Sequence, residues 1–230
     1  MIYDSLGVVQ PPSTWFDSGC GGPRARWLLD GRIEIEGQGT LTTGVPPGVG
    51  QWGALIAKAS AKYDVPAQLV VGVMSVESKG DPKALSYAGA AGLMQLMPAT
   101  ADYLAKRKVS STEIFEPSLN VDLGVKYVRE LWDRYKGNPI KIAAGYNAGS
   151  VKCGAPGKCP DGPNQWNVIT DCASGKAVDY PAKMFAYSNA AVASGVGTSS
   201  ATNNKGASWL PVAAGIVLVA GATVLLVRSA

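Results

Sequence analysis

The chain has 230 residues, of which 47% are hydrophobic, and a formal net charge of +4. That length suits one compact domain with appendages, and the small positive excess is scattered, so nucleic acid is not an expected partner. The complete lack of histidine excludes Ser-His-Asp and Cys-His nucleophiles and every metal site built on imidazole. Proton transfer in an enzyme of this composition falls to carboxylates, tyrosines or lysines, and we expect no cofactor and no metal.

The first 50 residues are rich in glycine and proline and show no helical periodicity. They lack the basic segment and the long apolar core of a secretory signal peptide. Within them, Asp30-Gly31 stands between two short runs that carry apolar residues, a pattern typical of a β-hairpin. We therefore expect residues 1–50 to form an irregular extension with one small hairpin.

From about residue 51 the sequence takes on the periodicity of amphipathic helices. Helices are predicted to begin near residues 51, 66, 121, 139 and 181, and Lys106-Arg107-Lys108 falls at a further helix end, where cations suit the negative pole. On the third of these helices, Asp122 and Lys126 are spaced for an outward ion pair. The predicted class is mainly α, with one domain over residues 51–194.

The second predicted helix carries Glu77 in an unusual place. Val70, Met74 and Glu77 fall at i, i+4 and i+7, so the carboxylate continues an apolar stripe, and Gly80 ends the helix just after it. Desolvation and the negative end of the helix dipole both disfavour a charged carboxylate, so the pKa of Glu77 should rise toward the range of a general acid. Periodicity alone does not decide this, because most glutamates near a helix end reach water.

Several ordered motifs accompany this glutamate. They are Glu77-Ser78, the segment "GDPKALSYAGAAGLMQLMPATA" at 80–101 with its Gly92-Leu93-Met94-Gln95, the segment "AAGYNAG" at 143–149 with its Tyr146-Asn147-Ala148-Gly149, and Tyr180. Together, over about residues 51–190, they resemble the soluble-type lytic transglycosylases, relatives of goose-type lysozyme. The resemblance implies a lysozyme-like fold. Two departures from the family pattern are Gly145, where alanine is usual, and a cysteine-bearing insertion at 152–175 that precedes Tyr180.

The resemblance also implies an activity and its residues. The activity is cleavage of the β-1,4 bond between N-acetylmuramic acid and N-acetylglucosamine in peptidoglycan, with Glu77 as the catalytic residue and closure of a 1,6-anhydro ring. The implied substrate-binding residues are Ser78, Met94, Gln95, Tyr146, Asn147 and Tyr180. Among them, we expect Met94 to form an apolar wall of the cleft and Tyr146 to donate to the substrate or to Glu77.

A single carboxylate is consistent with this chemistry. Most glycosidases need two carboxylates at a defined separation. Asp81 is the only acid close to Glu77 in sequence, and its place in "GDP" suits a turn better than catalysis. Glu77 would then act first as acid and later as base. A lysozyme-type hydrolase of the same bond remains an open alternative, as does a glycan-binding protein without activity.

The C-terminal end has the composition of a membrane anchor. Trp209–Val227 carries no charge and, as a helix, would span about 28 Å, close to one hydrocarbon core. A polar linker at 195–208 precedes it, and Trp209 is placed as an interfacial aromatic. We expect a single-pass membrane protein with the lipid bilayer and peptidoglycan glycan strands as partners.

The four cysteines are Cys20, Cys153, Cys159 and Cys172. Three of them crowd into a Gly- and Pro-containing stretch, which suggests a disulfide-stapled loop in an oxidising compartment, and the pairing stays open. A zinc site would need all four sulfurs, and reduced thiols are the remaining alternative.

Two locations fit an anchored wall-cutting domain. One is the internal membrane of a bacteriophage virion, because the layout is similar to that of phage transglycosylases, with wall penetration for genome entry and other virion proteins as partners. The other is a bacterial inner membrane with a periplasmic catalytic domain that serves a secretion or conjugation apparatus.

Overall fold

The computed structural model describes residues 2–3, 9–10, 14–16, 24–148 and 180–196. The described part is mainly helical. Its strands are β1 (Ile2–Tyr3), β2 (Val9–Gln10), β3 (Ala25–Trp27) and β4 (Ile33–Ile35). Its helices are α1 (Pro47–Gly50), α2 (Gly53–Tyr63), α3 (Ala67–Glu77), α4 (Pro98–Ala105), α5 (Pro117–Tyr135), α6 (Pro139–Ala148) and α7 (Tyr180–Ser194), with a 3-10 turn at Glu113–Phe115.

Several predicted features lie outside the described residues. They are the insertion at 152–175, the anchor at 209–227, residues 197–208 of the linker, and all four cysteines. Within the described ranges, none of the helices combines the length and the apolar character that crossing a bilayer requires.

The helix α3 lies at the centre of the core. Its residues from Leu69 to Ser75 are all buried, which is why an almost unbroken apolar run forms this helix. At Gly72 the helix α7 comes very close, because a β-carbon there would lie 2.1 Å from Ser188 Oγ and 2.6 Å from Met184 O. This glycine therefore allows α7 to pack directly on α3.

The two helices run antiparallel. The middle of α7 faces Gly72, and its first residue, Tyr180, is hydrogen-bonded to Glu77 at the last residue of α3. This arrangement brings the start of α7 to the end of α3, where the candidate site lies.

The segment before the first long helix is part of the same core. The strands β3 and β4 pair antiparallel, with Trp27 opposite Ile33, and Gly31 adopts a φ of 85° in the turn. The indole of Trp27 is 4% exposed and donates to Gly137 O at 2.9 Å. The amide of Asn189 on α7 accepts from Ile33 N at 2.6 Å and donates to Ile33 O at 2.9 Å. The hairpin is thus tied to the helices, although the glycine- and proline-rich composition predicts an irregular extension.

The predicted ion pair between Asp122 and Lys126 on α5 is wrong. The Asp122 carboxylate accepts from Lys62 Nζ at 2.7 Å and from Tyr63 OH at 2.8 Å. Lys126 Nζ donates instead to Leu104 O at 2.6 Å. Both side chains connect α5 to a neighbouring helix, which the spacing along one helix cannot reveal.

Candidate active site

The helix α3 ends in a compact turn directly after Glu77. The backbone N–H groups of Ser78 and Lys79 both donate to Met74 O at 3.1 Å. Lys79 and Gly80 then adopt left-handed conformations, with φ of 54° and 85°. Two successive left-handed residues turn the chain sharply away, so the Glu77 side chain is left at the helix end.

The turn is held from outside by the residues around α1. A β-carbon on Gly80 would lie 2.2 Å from Gly48 O, so only a glycine permits this backbone contact. The indole N–H of Trp52 donates to Gly80 O at 2.9 Å. The position of Glu77 therefore depends on a segment that precedes it by about 30 residues.

The carboxylate of Glu77 is bound by a tyrosine. Tyr180 OH donates to Glu77 Oε1 at 2.6 Å, and the Tyr180 side chain is almost fully buried. Burial raises the pKa of Glu77 to about 7, while the Tyr180 hydrogen bond acts in the opposite direction and lowers it. The predicted upward direction of this pKa is confirmed, and desolvation is its largest cause.

Two tyrosines near Glu77 remain protonated. Burial and the neighbouring Glu77 raise the pKa values of both Tyr146 and Tyr180 well above the ordinary value. Tyr146 OH donates to Met94 O at 2.8 Å, and its ring packs against Tyr127 with centroids 5.3 Å apart. The hydroxyl of Tyr146 therefore holds the backbone beside the acid, whereas the hydroxyl of Tyr180 contacts the acid itself.

The Gly92–Gln95 segment forms a tight turn next to this acid. Gly92 and Gln95 both have a positive φ, 79° and 45°. Ser78 Oγ donates to Leu93 O at 2.7 Å, and because Ser78 follows Glu77, this bond places the turn beside the end of α3. The amide nitrogen of Gln95 donates to Ala84 O at 2.9 Å and to Gly92 O at 3.0 Å, so both of its N–H groups are bound to the backbone.

Asn120 organises this turn and was not predicted. It is 1% exposed, its Oδ1 accepts from Met94 N at 2.7 Å, and its Nδ2 donates to Ala91 O at 3.0 Å and to Ile114 O at 2.8 Å. A β-carbon on Gly92 would lie 2.5 Å from its amide nitrogen. The available signal was an asparagine at the start of an apolar helical stripe, because a buried amide must be fully bonded.

Two other predicted substrate-binding residues, Met94 and Asn147, differ in their exposure to solvent. Met94 has no exposed surface and packs against Gly124, where a β-carbon would lie 2.6 Å from Met94 Cγ. The structure thus places Met94 in the core and not on a cleft wall, because its N–H and carbonyl are fixed by Asn120 and Tyr146. Asn147 is exposed on the last turn of α6. For Ser78 and Asn147, a contact with glycan stays a prediction.

The acid closest to Glu77 in sequence, Asp81, has a structural role. Asp81 Oδ1 accepts from the backbone N–H of Lys83 at 2.8 Å, the turn role that its sequence position predicts. Among the described residues, burial and Tyr180 are the causes of the Glu77 shift, and a second carboxylate is not one of them. The same residues contain no group of three or more His, Cys, Asp or Glu side chains that could hold a metal ion.

A hollow of about 560 Å³ lies away from this acid, between residues 42–50 and the end of α7. Its lining consists of Thr, Gly, Val, Pro, Ala and Ser residues. It contains no titratable side chain, so it offers no group for proton transfer. The candidate site therefore stays at the end of α3.

The family of the chain follows from comparison with known proteins. The model of the transglycosylase SLT domain matches residues 54–169, half of the chain. This chain belongs to the transglycosylase SLT domain family. Glu77, the Gly92–Gln95 turn and Tyr146 lie within the matched SLT domain, whereas Tyr180 lies beyond its end.

The relatives of this SLT domain include phage and bacterial proteins. The "Transglycosylase" of Enterobacteria phage PRD1 is 44% identical over 85 residues, which is 37% of this chain and 30% of that protein. The "Membrane-bound lytic murein transglycosylase C" of Histophilus somni is 37% identical over 109 residues, 42% of this chain and 30% of that protein. The match thus spans only about 30% of the length of these curated relatives. The soluble lytic transglycosylase SLT70 of Escherichia coli has a TM-score of 0.49 at 23% identity, over 63% of this chain and 24% of that one.

In this SLT domain, helix packing explains why residue 145 is a glycine. A β-carbon at Gly145 would lie 2.8 Å from Tyr135 Cε2 and 3.1 Å from Leu131 Cδ2. The helix continues through the glycine from Pro139 to Ala148. Gly145 therefore lets α6 pack closely on α5.

Proposed function

We propose that this protein is a peptidoglycan lytic transglycosylase that cleaves the β-1,4 bond between N-acetylmuramic acid and N-acetylglucosamine and closes a 1,6-anhydro ring. The observation that carries the proposal is the 2.6 Å hydrogen bond from Tyr180 to Glu77, an acid that lies within the matched SLT domain. A glutamate with a pKa of about 7 is protonated in a large fraction of molecules at neutral pH. Glu77 can therefore donate a proton at neutral pH.

The hydrogen bond from Tyr180 favours one carboxyl oxygen of Glu77 as the carrier of the proton. Because Oε1 of Glu77 accepts from Tyr180 OH, the acidic proton of the neutral carboxyl resides on Oε2. In the first step Oε2 donates this proton to the glycosidic oxygen, and the bond from that oxygen to the anomeric carbon breaks. The acetamido oxygen of the muramic residue stabilises the positive anomeric carbon, as in substrate-assisted glycosidases.

The second step uses the same side chain as a base. Glu77 is now ionised, and Tyr180 favours this state because its hydrogen bond lowers the pKa of the carboxyl. The carboxylate takes the proton of the muramic C6 hydroxyl, whose oxygen then bonds to the anomeric carbon and closes the ring. Glu77 ends protonated, as it began, and no water is consumed.

Other residues would position the glycan. The carbonyl oxygen of Gln95 can accept from a sugar hydroxyl or amide, because both donors of its amide are bound to the backbone. Tyr146 acts through the Met94 carbonyl that it holds. Asn147, at the exposed end of α6, is the further candidate for contact with the sugar.

The decisive experiment is product analysis on purified peptidoglycan. We expect the wild-type protein to release 1,6-anhydromuropeptides, detectable by mass spectrometry, and Glu77→Gln to release none. Asp81→Asn is a matched control, because Asp81 is an exposed acid four residues away that serves a turn, and it should keep the wild-type products. Products with reducing ends would show a lysozyme-type hydrolase instead, and unchanged lysis by Glu77→Gln would remove Glu77 from the mechanism.

We also propose that residues 209–227 anchor the protein in a membrane. The support is their uncharged composition and length in the sequence. The full chain should float with lipid vesicles in a density gradient, and a chain ending at residue 208 should not. Equal flotation of the two proteins would contradict the anchor.

For the biological setting, we propose local wall penetration by a bacteriophage during genome entry. The support is the phage relative together with the predicted anchor. The alternative is a bacterial enzyme at the inner membrane, and a membrane-bound bacterial relative favours it. Detection of the protein in purified virions would support the phage setting, and its absence there would favour the bacterial one.

A further inference from the structure

The segment 85–97 exposes much apolar surface beside the candidate site. Of the five exposed large hydrophobic side chains among the described residues, three lie in it, namely Leu85, Tyr87 and Met97. This segment also contains Gln95, and its Leu93 carbonyl is bonded to Ser78 next to the acid. Exposed apolar side chains are ordinary when scattered, but their concentration next to a site indicates contact with a ligand.

Tyr87 is the most exposed of these side chains, at 109% relative exposure. It stands on a closed turn in which Ser86 N donates to Ala90 O at 2.8 Å and Ala90 N donates to Ser86 Oγ at 2.9 Å. Gly89 completes the turn with a φ of 89°. The backbone under the ring is therefore fixed, while the ring itself is completely open to solvent.

Tyr87 also lies close in the chain to the Gly92–Gln95 turn of the candidate site. The carbonyl of Ala84 accepts from Gln95 Nε2 at 2.9 Å, and Tyr87 follows Ala84 by three residues, a distance of at most about 11 Å. A peptidoglycan glycan strand is a polymer that extends well beyond the one bond that is cut. A strand bound at Glu77 therefore has further sugar units available to this ring.

We propose that Tyr87 forms an outer sugar-binding subsite, in which its ring stacks on an N-acetylhexosamine unit of the strand that is cut at Glu77. The apolar C–H face of a pyranose fits the negative face of an aromatic ring, and the phenol hydroxyl can bond a sugar hydroxyl at the rim. Within the turn the neighbours of Tyr87 are Ser86, Ala88 and Gly89, so its ring is the aromatic group that this turn offers to a sugar unit. The identity of the glycan rests on the proposed function.

The test measures glycan binding by full-length Glu77→Gln protein, which retains the strand without cutting it. One ligand is soluble, uncrosslinked glycan strands, and the other is the shortest oligosaccharide that the wild-type protein cleaves. We expect Tyr87→Ala to weaken binding of the long strands about tenfold, or ~1.4 kcal/mol, and to leave binding of the short one unchanged. Tyr87→Phe should keep most of the affinity, because it keeps the ring.

Tyr103 supplies the matched control. It is another exposed tyrosine, at 67%, but it lies on α4 outside the 85–97 segment, so Tyr103→Ala should bind both ligands as the parent does. Both positions are on the surface, and thermal melting should confirm that the variants fold equally well. Unchanged binding of long strands by Tyr87→Ala would overturn the subsite, as would equal weakening for both ligands or no strand binding by the parent.

Failure of the Tyr87 subsite can be distinguished from failure of the proposed function. If the wild-type protein yields products with reducing ends, the transglycosylase chemistry is wrong, yet a loss of long-strand binding in Tyr87→Ala still supports the subsite. If anhydro products form and Tyr87→Ala binds long strands normally, the subsite alone is wrong.

Discussion

Glu77 has two structural neighbours that differ in how they are built. The Gly92–Gln95 turn on one side is fixed through its backbone, by Ser78, Asn120 and Tyr146. On the other side, Tyr180 makes a direct side-chain bond to the carboxylate. The residues around the turn therefore shape the site, whereas Glu77 and Tyr180 would share in its chemistry. Changes on the first side should affect stability most, and changes on the second side should affect the protonation of Glu77.

The largest effect is expected from Asn120→Ala. It leaves Met94 N, Ala91 O and Ile114 O without their partner, and each buried unpaired group costs about 1–3 kcal/mol. We expect a loss of about 3–5 kcal/mol in the free energy of unfolding, measured by urea denaturation. The control is Asn138→Ala, which removes a helix cap to Lys141 N and should cost about 1 kcal/mol. Equal losses in the two variants would show that Asn120 does not organise the turn.

Glu77→Gln should have the opposite effect on stability. The folded protein holds the Glu77 proton up to a pH of about 7, whereas the unfolded chain releases it near 4.5. Wild-type stability therefore falls as pH rises between these two values, and the glutamine variant lacks this loss. The variant should match the wild type near pH 4 and exceed it above pH 7 by up to about 3 kcal/mol. The check is chemical denaturation of both proteins across this pH range, and a constant difference would contradict the burial of the acid.

Tyr180→Phe should change protonation and rate with little loss of stability. Because the Tyr180 hydrogen bond lowers the pKa of Glu77, its removal should move the alkaline limb of the pH–kcat/KM profile to higher pH. Loss of the bond that favours the ionised form should reduce kcat by about tenfold to a hundredfold, or ~1.4–3 kcal/mol. Tyr127→Phe is the control, since that hydroxyl is 3.5 Å from Gly145 O and does not contact the acid. A profile that moves to lower pH, or not at all, would refute this role of Tyr180.

The smallest effect is expected from Ser78→Ala. The variant loses the bond to Leu93 O, and we expect about 1 kcal/mol less stability. If Ser78 serves only to hold the turn, KM for glycan strands stays constant. A severalfold rise in KM with unchanged stability would instead assign Ser78 to the substrate.

The sequence predicts the acid and the direction of its pKa better than it predicts the contacts that hold the neighbouring turn. The direction of the Glu77 pKa agrees with an apolar stripe that ends on a carboxylate, because that stripe places the end of the helix in the core. The role of Asn120 does not follow, because its partners lie in a loop and a 3-10 turn far from it in sequence. Asp122 was predicted wrongly for the same reason, since its partners are on another helix.

Close helix packing was also hidden from the sequence. A glycine inside a helix generally weakens it, whereas the structure uses Gly72 and Gly145 for close approach, to Ser188 and to Tyr135 respectively. Tyr180 follows a long insertion, so spacing could not place it, and the structure brings its hydroxyl to the acid. Contacts between distant segments are what the patterns of single elements leave out.

The central claim is that Glu77 keeps its proton near neutral pH. The most direct test is a carbon-13 NMR titration of the glutamate carboxyl carbons in the full chain, with Glu77→Gln used to assign the resonance. The account predicts a midpoint at a pH of about 7 for this carboxyl. A midpoint near 4.5, the ordinary value for glutamate, would contradict it.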